Sequence, residues 1–356
     1  MMFAPGQKTY VIAEIGANHN GDMALARKMI DVAKDCGADA AKFQSWDTTI
    51  FSKTVYEKNY FLGDDYRNRS DYTLKEIVEK FALGFEQMRE LRQYCAKVGI
   101  DFATTPFSVT QLEQLVALDP PFIKIASMDL TNPRILKAAG RTRLPVVLST
   151  GFGTLEEIDR AVRLIEAEGN RDIVLLHCIA LYPPADDEVN LDNVDMLRAA
   201  FGHPVGFSDH TAGTDISLAA IAKRAVVLEK HFTLDKTMFG WDHHMSVDPD
   251  ELRTICHARD RIHAALGSTR RVVGARELAR RDEYRRSIVA ARDIRAGETI
   301  TEAAIDFRRP GTGLEPFMAE RIVGMVAVRG IPEDTLISLD DLSAGADAPR
   351  RSADRR

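Results

Sequence analysis

The chain is poor in cysteine. Its 356 residues hold four, Cys36, Cys95, Cys178 and Cys256, spread without CxxC spacing. That excludes a disulfide scaffold and predicts reduced, buried thiols, of which Cys178 alone falls at a predicted strand end, near possible chemistry. No stretch approaches the roughly 18 consecutive apolar residues of a membrane span. The first ten residues lack the basic cap and apolar run of a signal peptide, so a cytoplasmic protein is expected. Basic excess is absent too: 47 Lys and Arg against 53 Asp and Glu give a formal net charge of -6. A nucleic-acid partner needs a basic face, and this balance argues against one, although a pocket for a single phosphate fits inside the total.

What is present is alternation. From Tyr10 to about Leu266, β-rich runs at Val11–Ile15, Ala40–Phe43, Asp101–Thr104, Phe122–Ala126, Val146–Leu148, Ile173–His177, Val205–Phe207 and Val226–His231 alternate with helical patterns. Met23–Cys36, Leu155–Glu168 and Ile216–Arg224 carry apolar residues at three- and four-residue intervals. Eight such units in about 260 residues predict a (β/α)8 TIM barrel; a doubly wound open sheet competes, but the even spacing favours closure. The connection after the second strand, Ser45–Asp71, is long and rich in Tyr and charge (Trp46, Tyr56, Tyr60, Tyr66 and Tyr72 nearby), which suits a lid, a subunit contact or a merely decorative insertion. The predicted layout is a barrel at 1–267, an Arg-rich linker at 268–283, a small irregular or β domain at 284–342, and a disordered tail at 343–356.

In such a barrel the chemistry sits at the C-terminal ends of the strands. Those ends carry Glu14; Lys42 and Gln44; Thr105; Lys124 and Ser127; Ser149 and Thr150; Tyr182; Ser208, Asp209 and His210; and Glu229, Lys230 and His231. Lysines supply point charges and hydroxyls supply neutral donors, which suits a phosphate and a carboxylate. Alternatively, the lysines pair with carboxylates in the barrel wall. His210 and His231 end adjacent strands and can share one metal without a short local motif. Two imidazoles with oxygen or water suit Mn²⁺, Mg²⁺, Co²⁺ or another divalent ion, and the residues do not choose among them. His243 and His244 either add to this site or cap the eighth helix, whose start is marked by Asp248-Pro249.

These residues lie in segments that resemble the sialic acid synthase family. The segments are Ala13-Glu14-Ile15-Gly16-Ala17-Asn18-His19-Asn20-Gly21, Ala41-Lys42-Phe43-Gln44, Thr104-Thr105-Pro106-Phe107, Lys124-Ile125-Ala126-Ser127, Leu148-Ser149-Thr150-Gly151, Phe207-Ser208-Asp209-His210-Thr211 and Glu229-Lys230-His231-Phe232-Thr233. Arg286-Ser287 and Arg308-Arg309-Pro310-Gly311-Thr312-Gly313 resemble that family's antifreeze-like C-terminal (SAF-type) domain. The resemblance runs in order over residues 8 to 342.

It implies condensation of phosphoenolpyruvate with an N-acylated aminosugar aldehyde, giving a nonulosonic acid and phosphate. On that pattern His210 and His231 hold the metal. Lys42, Thr105, Lys124, Ser127, Ser149 and Ser208 match positions that bind phosphoenolpyruvate. Glu14 matches a residue near the reacting C2 centre, and Gln44, Phe107, Tyr182 and Asp242 match acceptor-side positions. Arg309 matches a residue that reaches the acceptor's acyl group from the partner subunit of a domain-swapped homodimer. The chain departs from the pattern at Ala180, where the family commonly has Asn or Ser, and at Trp241, where it commonly has Pro. Two other readings remain at this stage: a Schiff-base aldolase using Lys124 or Lys42, and a catalytically silent sugar-binding relative.

Overall fold

Side chains along a strand alternate between faces, and on seven of the barrel's strands the inner face turns from apolar to reactive in one step. Ile12, Ala40, Ala103, Phe122, Val147, Leu176 and Val227 pack together with Phe3 inside the barrel. Two residues further on, the same face presents Glu14, Lys42, Thr105, Lys124, Ser149, Cys178 and Glu229. The interior is therefore a dry floor under a polar mouth.

The computed structural model describes residues 2–58 and 73–344. It separates into two compact units, Met1–Gly267 and Ser268–Arg356. In the first, parallel strands β1 (Tyr10–Gly16), β2 (Ala40–Ser45), β3 (Asp101–Pro106), β4 (Ile123–Ile125), β5 (Val146–Ser149), β6 (Ile173–Cys178), β7 (Val205–Asp209) and β8 (Val227–His231) pair in the order β3-β2-β1-β8-β7-β6-β5-β4. β3 and β4 run side by side and bring the ring almost to closure, without a continuous ladder. That missing ladder leaves β4 shorter than the expected Phe122–Ala126. The outer faces, including Val11, Ala13, Ile15 and Phe43, meet the apolar stripes of the helices through Met29, Ile30, Leu91 and Ile158. This is the TIM-barrel architecture the sequence predicts.

Helix boundaries follow their caps. The helix Met23–Cys36 starts where the Asp22 side chain accepts from the amides of Ala24 and Leu25, and it stops at Gly37 with φ 93°. Pro249–Leu266 starts from a capping box between Asp248 and Glu251, so neither His243 nor His244 caps it. The helices expected at Leu155–Glu168 and Ile216–Arg224 run Leu155–Ala167 and Asp215–Ala222. In the long connection after β2, a short helix Lys53–Glu57 forms. Its remainder at 59–72, with Tyr60, Tyr66 and Tyr72, lies outside the described residues. Among the described residues no helix is long and apolar enough to cross a membrane.

Gly206 is a close-approach glycine on β7. A Cβ there would lie 2.4 Å from the Val227 carbonyl oxygen and 2.7 Å from Leu176 Cδ2. Gly206→Ala is expected to destabilise the fold by about 2 kcal/mol through overpacking. The denaturant midpoint measures this, and an unchanged midpoint would contradict the tight packing of that layer.

In the second unit, 268–283 is not irregular throughout: one-turn helices form at Ala275–Leu278 and Arg281–Tyr284. Beyond them Ser287–Ala290 pairs antiparallel with Ile305–Arg308, and Val326–Ala327 with Leu342–Ser343. Ile288, Ile294, Ile300, Ile322, Ile331 and Ile337 form a core of their own. Ser343 is thus paired with Val326 and not part of a disordered tail; residues 345–356 lie outside the described residues.

Candidate active site

The polar mouth is a linked charge network. Lys42 Nζ lies 2.5 Å from Glu14 Oε2 and 3.5 Å from Glu229 Oε2, and donates to Thr105 Oγ1 at 2.9 Å. Lys124 Nζ donates to Ser149 Oγ at 2.9 Å and lies 3.4 Å from Glu229 Oε1. Ser208 Oγ donates to the same Oε1 at 2.9 Å, and Gln44 Nε2 donates to Glu14 Oε1 at 3.1 Å. Glu14, Lys42, Lys124, Ser149, Ser208 and Glu229 are all buried. The wall-pairing alternative is correct to this extent: both lysines have carboxylate neighbours. Those neighbours are themselves inside the mouth.

The two carboxylates are driven apart. Burial pushes Glu14 up to about 7, with Lys42 pulling back against it. Against the same desolvation, Lys124 and Lys42 and then the Ser208 hydroxyl hold Glu229 down to about 2. Glu229 therefore keeps its charge more firmly than Glu14 beside the two lysines. Burial lowers Lys124, with Glu229 opposing; Lys42 is raised because Glu14 and Glu229 outweigh its desolvation.

Beside the lysines, the ring centroids of His210 and His231 lie 5.5 Å apart. Burial lowers His210 to about 4, and it lowers His231 well below its usual range, with His210 and Lys42 adding to the effect. Both are neutral near pH 7. His210 Nδ1 lies 2.8 Å from the Ile179 carbonyl oxygen. A carbonyl only accepts, so Nδ1 carries the proton and Nε2 keeps its lone pair. Asp242 Oδ2 lies 3.5 Å from His231 Nδ1. Tyr182, half exposed, stacks on His210 at 4.2 Å.

Other expected site residues stand further out. Ser127 Oγ accepts from the Gly151 amide at 3.0 Å and lies 3.6 Å from Cys178 Sγ. Burial raises the Cys178 thiol, which keeps it protonated; all four cysteines are free and buried. Thr150 is tied to the Leu176 carbonyl, a wall contact. Phe107 packs in a separate apolar cluster with Trp46 and Trp241, whose rings approach to 4.2 Å. His243 is anchored at 2.6 Å to Thr233 Oγ1 and takes no part in the helix cap, one of the two places open to it. Arg309 belongs to the second unit, where its guanidinium lies 5.0 Å over the Tyr284 ring.

Glu229 is the residue to which sequence reasoning assigned no role, although it touches three of the expected anion binders. The signal was its spacing: Glu229 and His231 are two apart on one strand and must share a face. Lys230 between them faces away, to Asp209.

The NeuB family matches residues 29–271 and the SAF domain matches residues 285–343. The chain is 38% identical over 333 residues to an N,N'-diacetyllegionaminic acid synthase of Campylobacter jejuni, covering 93% of this chain and 99% of that one. It is 35% identical to the Legionella pneumophila protein of the same name, covering 88% of this chain and 89% of that one. Among solved structures, an N-acetylneuraminic acid synthetase of Leptospira borgpetersenii in complex with citrate superposes with TM-score 0.67 at 32% identity, covering 77% of this chain and 90% of that one.

Proposed function

The chain belongs to the NeuB family, and on that premise we propose that it condenses phosphoenolpyruvate with an N-acylated aminosugar aldehyde. The products are a nonulosonic acid and inorganic phosphate. The observation that carries this reading is the convergence of Lys42, Lys124, Thr105, Ser149 and Ser208 on one buried mouth beside two neutral imidazoles. The lysines and hydroxyls, with Ser127, bind the phosphate and carboxylate of phosphoenolpyruvate. Carbon 3 then attacks the aldehyde carbon, water adds at carbon 2, and the carbon 2–oxygen bond breaks to release phosphate. Phosphoenolpyruvate, aldehyde and water thereby balance against keto acid and phosphate. Glu14, held by Gln44 and Lys42, orients that water or moves its proton. Gln44, Asp242, Tyr182 and Phe107 are assigned to the acceptor side, where Trp241 in place of the family's Pro changes the pocket's shape.

The donor set fits a divalent cation, Mn²⁺ in the first instance. Both imidazoles are uncharged, and the Ile179 carbonyl fixes the His210 tautomer as a ligand's outer partner does. Among the described residues no group of three His, Cys, Asp or Glu forms a cage, so water or substrate oxygen would complete the shell, as in open catalytic sites. An ion held by His210 and His231 supplies Lewis acidity to the aldehyde oxygen.

Both Campylobacter and Legionella relatives carry "N,N'-diacetyl" in their names, which favours a sugar with two N-acetyl groups over N-acetylmannosamine. A phosphate-release screen across N-acetylmannosamine and 2,4-diacetamido-dideoxy hexoses tests the proposal. Release only with an aminosugar and a divalent ion supports it. Borohydride trapping of pyruvate on Lys124 or Lys42, with activity surviving EDTA, establishes the aldolase instead.

The pH dependence follows from Glu14. Its folded-state value lies above the ordinary carboxylate range, so it loses its proton as pH rises through about 7, and the mouth then gains a negative charge that opposes an entering anion. The kcat/KM for phosphoenolpyruvate is expected to fall above that pH, and Glu14→Gln to flatten the fall. A wild-type profile without an inflection near neutrality would contradict this.

Arg309 is assigned to the acceptor's acyl group, contributed by the second chain of a homodimer. Arg309→Ala is expected to raise the acceptor KM about 10- to 100-fold, the loss of one charge-assisted hydrogen bond. The phosphoenolpyruvate KM should stay within twofold; equal rises in both would contradict the assignment.

A further inference from the structure

β7 and β8 each carry a charged residue directly before an imidazole: Asp209 before His210 and Lys230 before His231. Alternation turns both away from the mouth. They are register partners across the two strands and almost fully buried. Lys230 Nζ lies 2.9 Å from Asp209 Oδ2 and donates to the Thr211 carbonyl at 2.6 Å. Asp209 also accepts from the Thr211 amide and hydroxyl, both at 2.8 Å, and from Ser217 Oγ at 2.5 Å.

An ion pair this deep is a poor way to gain stability. Desolvating two charges offsets most of their attraction, and apolar residues of similar volume serve the core as well or better. What apolar residues lack is directional preference. A slip of one residue between β7 and β8 would send Lys230 into the mouth and His231 out of it. The ion pair opposes that slip, because it would leave two buried charges unpartnered. The bonds to Thr211 hold the backbone immediately after His210, and the bond to Ser217 ties the strand end to the helix Asp215–Ala222.

We infer that the Asp209–Lys230 ion pair is a positioning device that locks the β7–β8 register and the turn after β7, so that His210 and His231 face each other across the mouth. The positioning stands on geometry alone. Its consequence for a metal rests on the reading of the two imidazoles as ligands.

The test uses the full chain and two variants. Lys230→Met leaves a bare buried carboxylate and is expected to melt early. The double variant Asp209→Asn/Lys230→Met removes both charges, keeps an acceptor oxygen for Thr211 and turns an amide donor toward Ser217 Oγ, which can accept, so it is expected to fold with wild-type circular dichroism. Spectra of metal-free protein carrying ¹⁵N-histidine, assigned with His210→Gln and His231→Gln, report the rings directly. The wild type should show His210 as one Nδ1–H tautomer. In the double variant the His210 and His231 signals should shift or split into several states. Titration with Co²⁺, followed by its visible absorption, should show affinity weakened about 10- to 100-fold, the usual cost of losing a ligand's supporting shell. A folded double variant with wild-type imidazole signals overturns the inference. If the wild type takes up no Co²⁺, the metal reading falls, while the metal-free spectra still decide the role of the pair.

Discussion

Lys124→Met is expected to lower kcat/KM for phosphoenolpyruvate by about a thousandfold while the protein stays folded. The ammonium is buried, hydrogen-bonded to Ser149 at 2.9 Å and 3.4 Å from Glu229. An anion entering this mouth exchanges water for these groups, so the charge acts where it is little screened. Truncating one partner of a buried charged contact to a bound group typically costs about 2–5 kcal/mol of binding, and about 1.4 kcal/mol is a factor of ten in rate. The fold should survive because Glu229 keeps Ser208 at 2.9 Å and Lys42 at 3.5 Å. Methionine matches the stem in length, so no large cavity opens. Steady-state kinetics in phosphoenolpyruvate, with thermal unfolding as a control, measure the effect. A loss below tenfold would remove Lys124 from the anion site.

His231→Ala is expected to abolish metal-dependent turnover, a loss of at least about a thousandfold if the ion supplies several kcal/mol of charge stabilisation. The imidazole is neutral, and its Nδ1 makes no hydrogen bond in the described structure. Truncation takes away the ring 3.5 Å from the partly exposed Asp242 carboxylate and otherwise leaves a small cavity at the open end of the barrel. The variant should melt near the wild type and show no uptake of Mn²⁺ by calorimetry. Turnover like the wild type's would contradict the ligand assignment.

Much of this site was legible because two periodicities coincide. The period-2 alternation that places Ile12 and Val227 on the barrel floor also places Glu14 and Glu229 above them. The strand count and the polar strand ends therefore led to Lys42, Lys124, Ser149, Ser208, His210 and His231 as candidates, which the structure gathers at one mouth. What escaped was set by contacts between distant segments. Glu229 bridges Lys42, Lys124 and Ser208, three residues from three other strands. Its two-residue spacing from His231 puts it on the mouth's face, but its partners come from other strands and are not local in sequence. Trp46 and Trp241 meet at a tilt of 42° from loops on either side of β1, a pairing that no repeat announces. His243 read as a possible cap because it precedes a helix, but Asp248 is better placed to accept from that helix's first amides. The one-turn helices of 268–283 were hidden by their Arg-rich composition, which lacks an apolar stripe.

Phosphoenolpyruvate labelled with ¹⁸O at the oxygen bridging carbon 2 and phosphorus tests the proposed reaction most directly. With an N-acylated aminosugar and Mn²⁺, the label should leave entirely in inorganic phosphate, with one phosphate formed for each nonulosonic acid and none without the sugar. Label retained in the keto acid, or phosphate released at the same rate without any aminosugar, would contradict it.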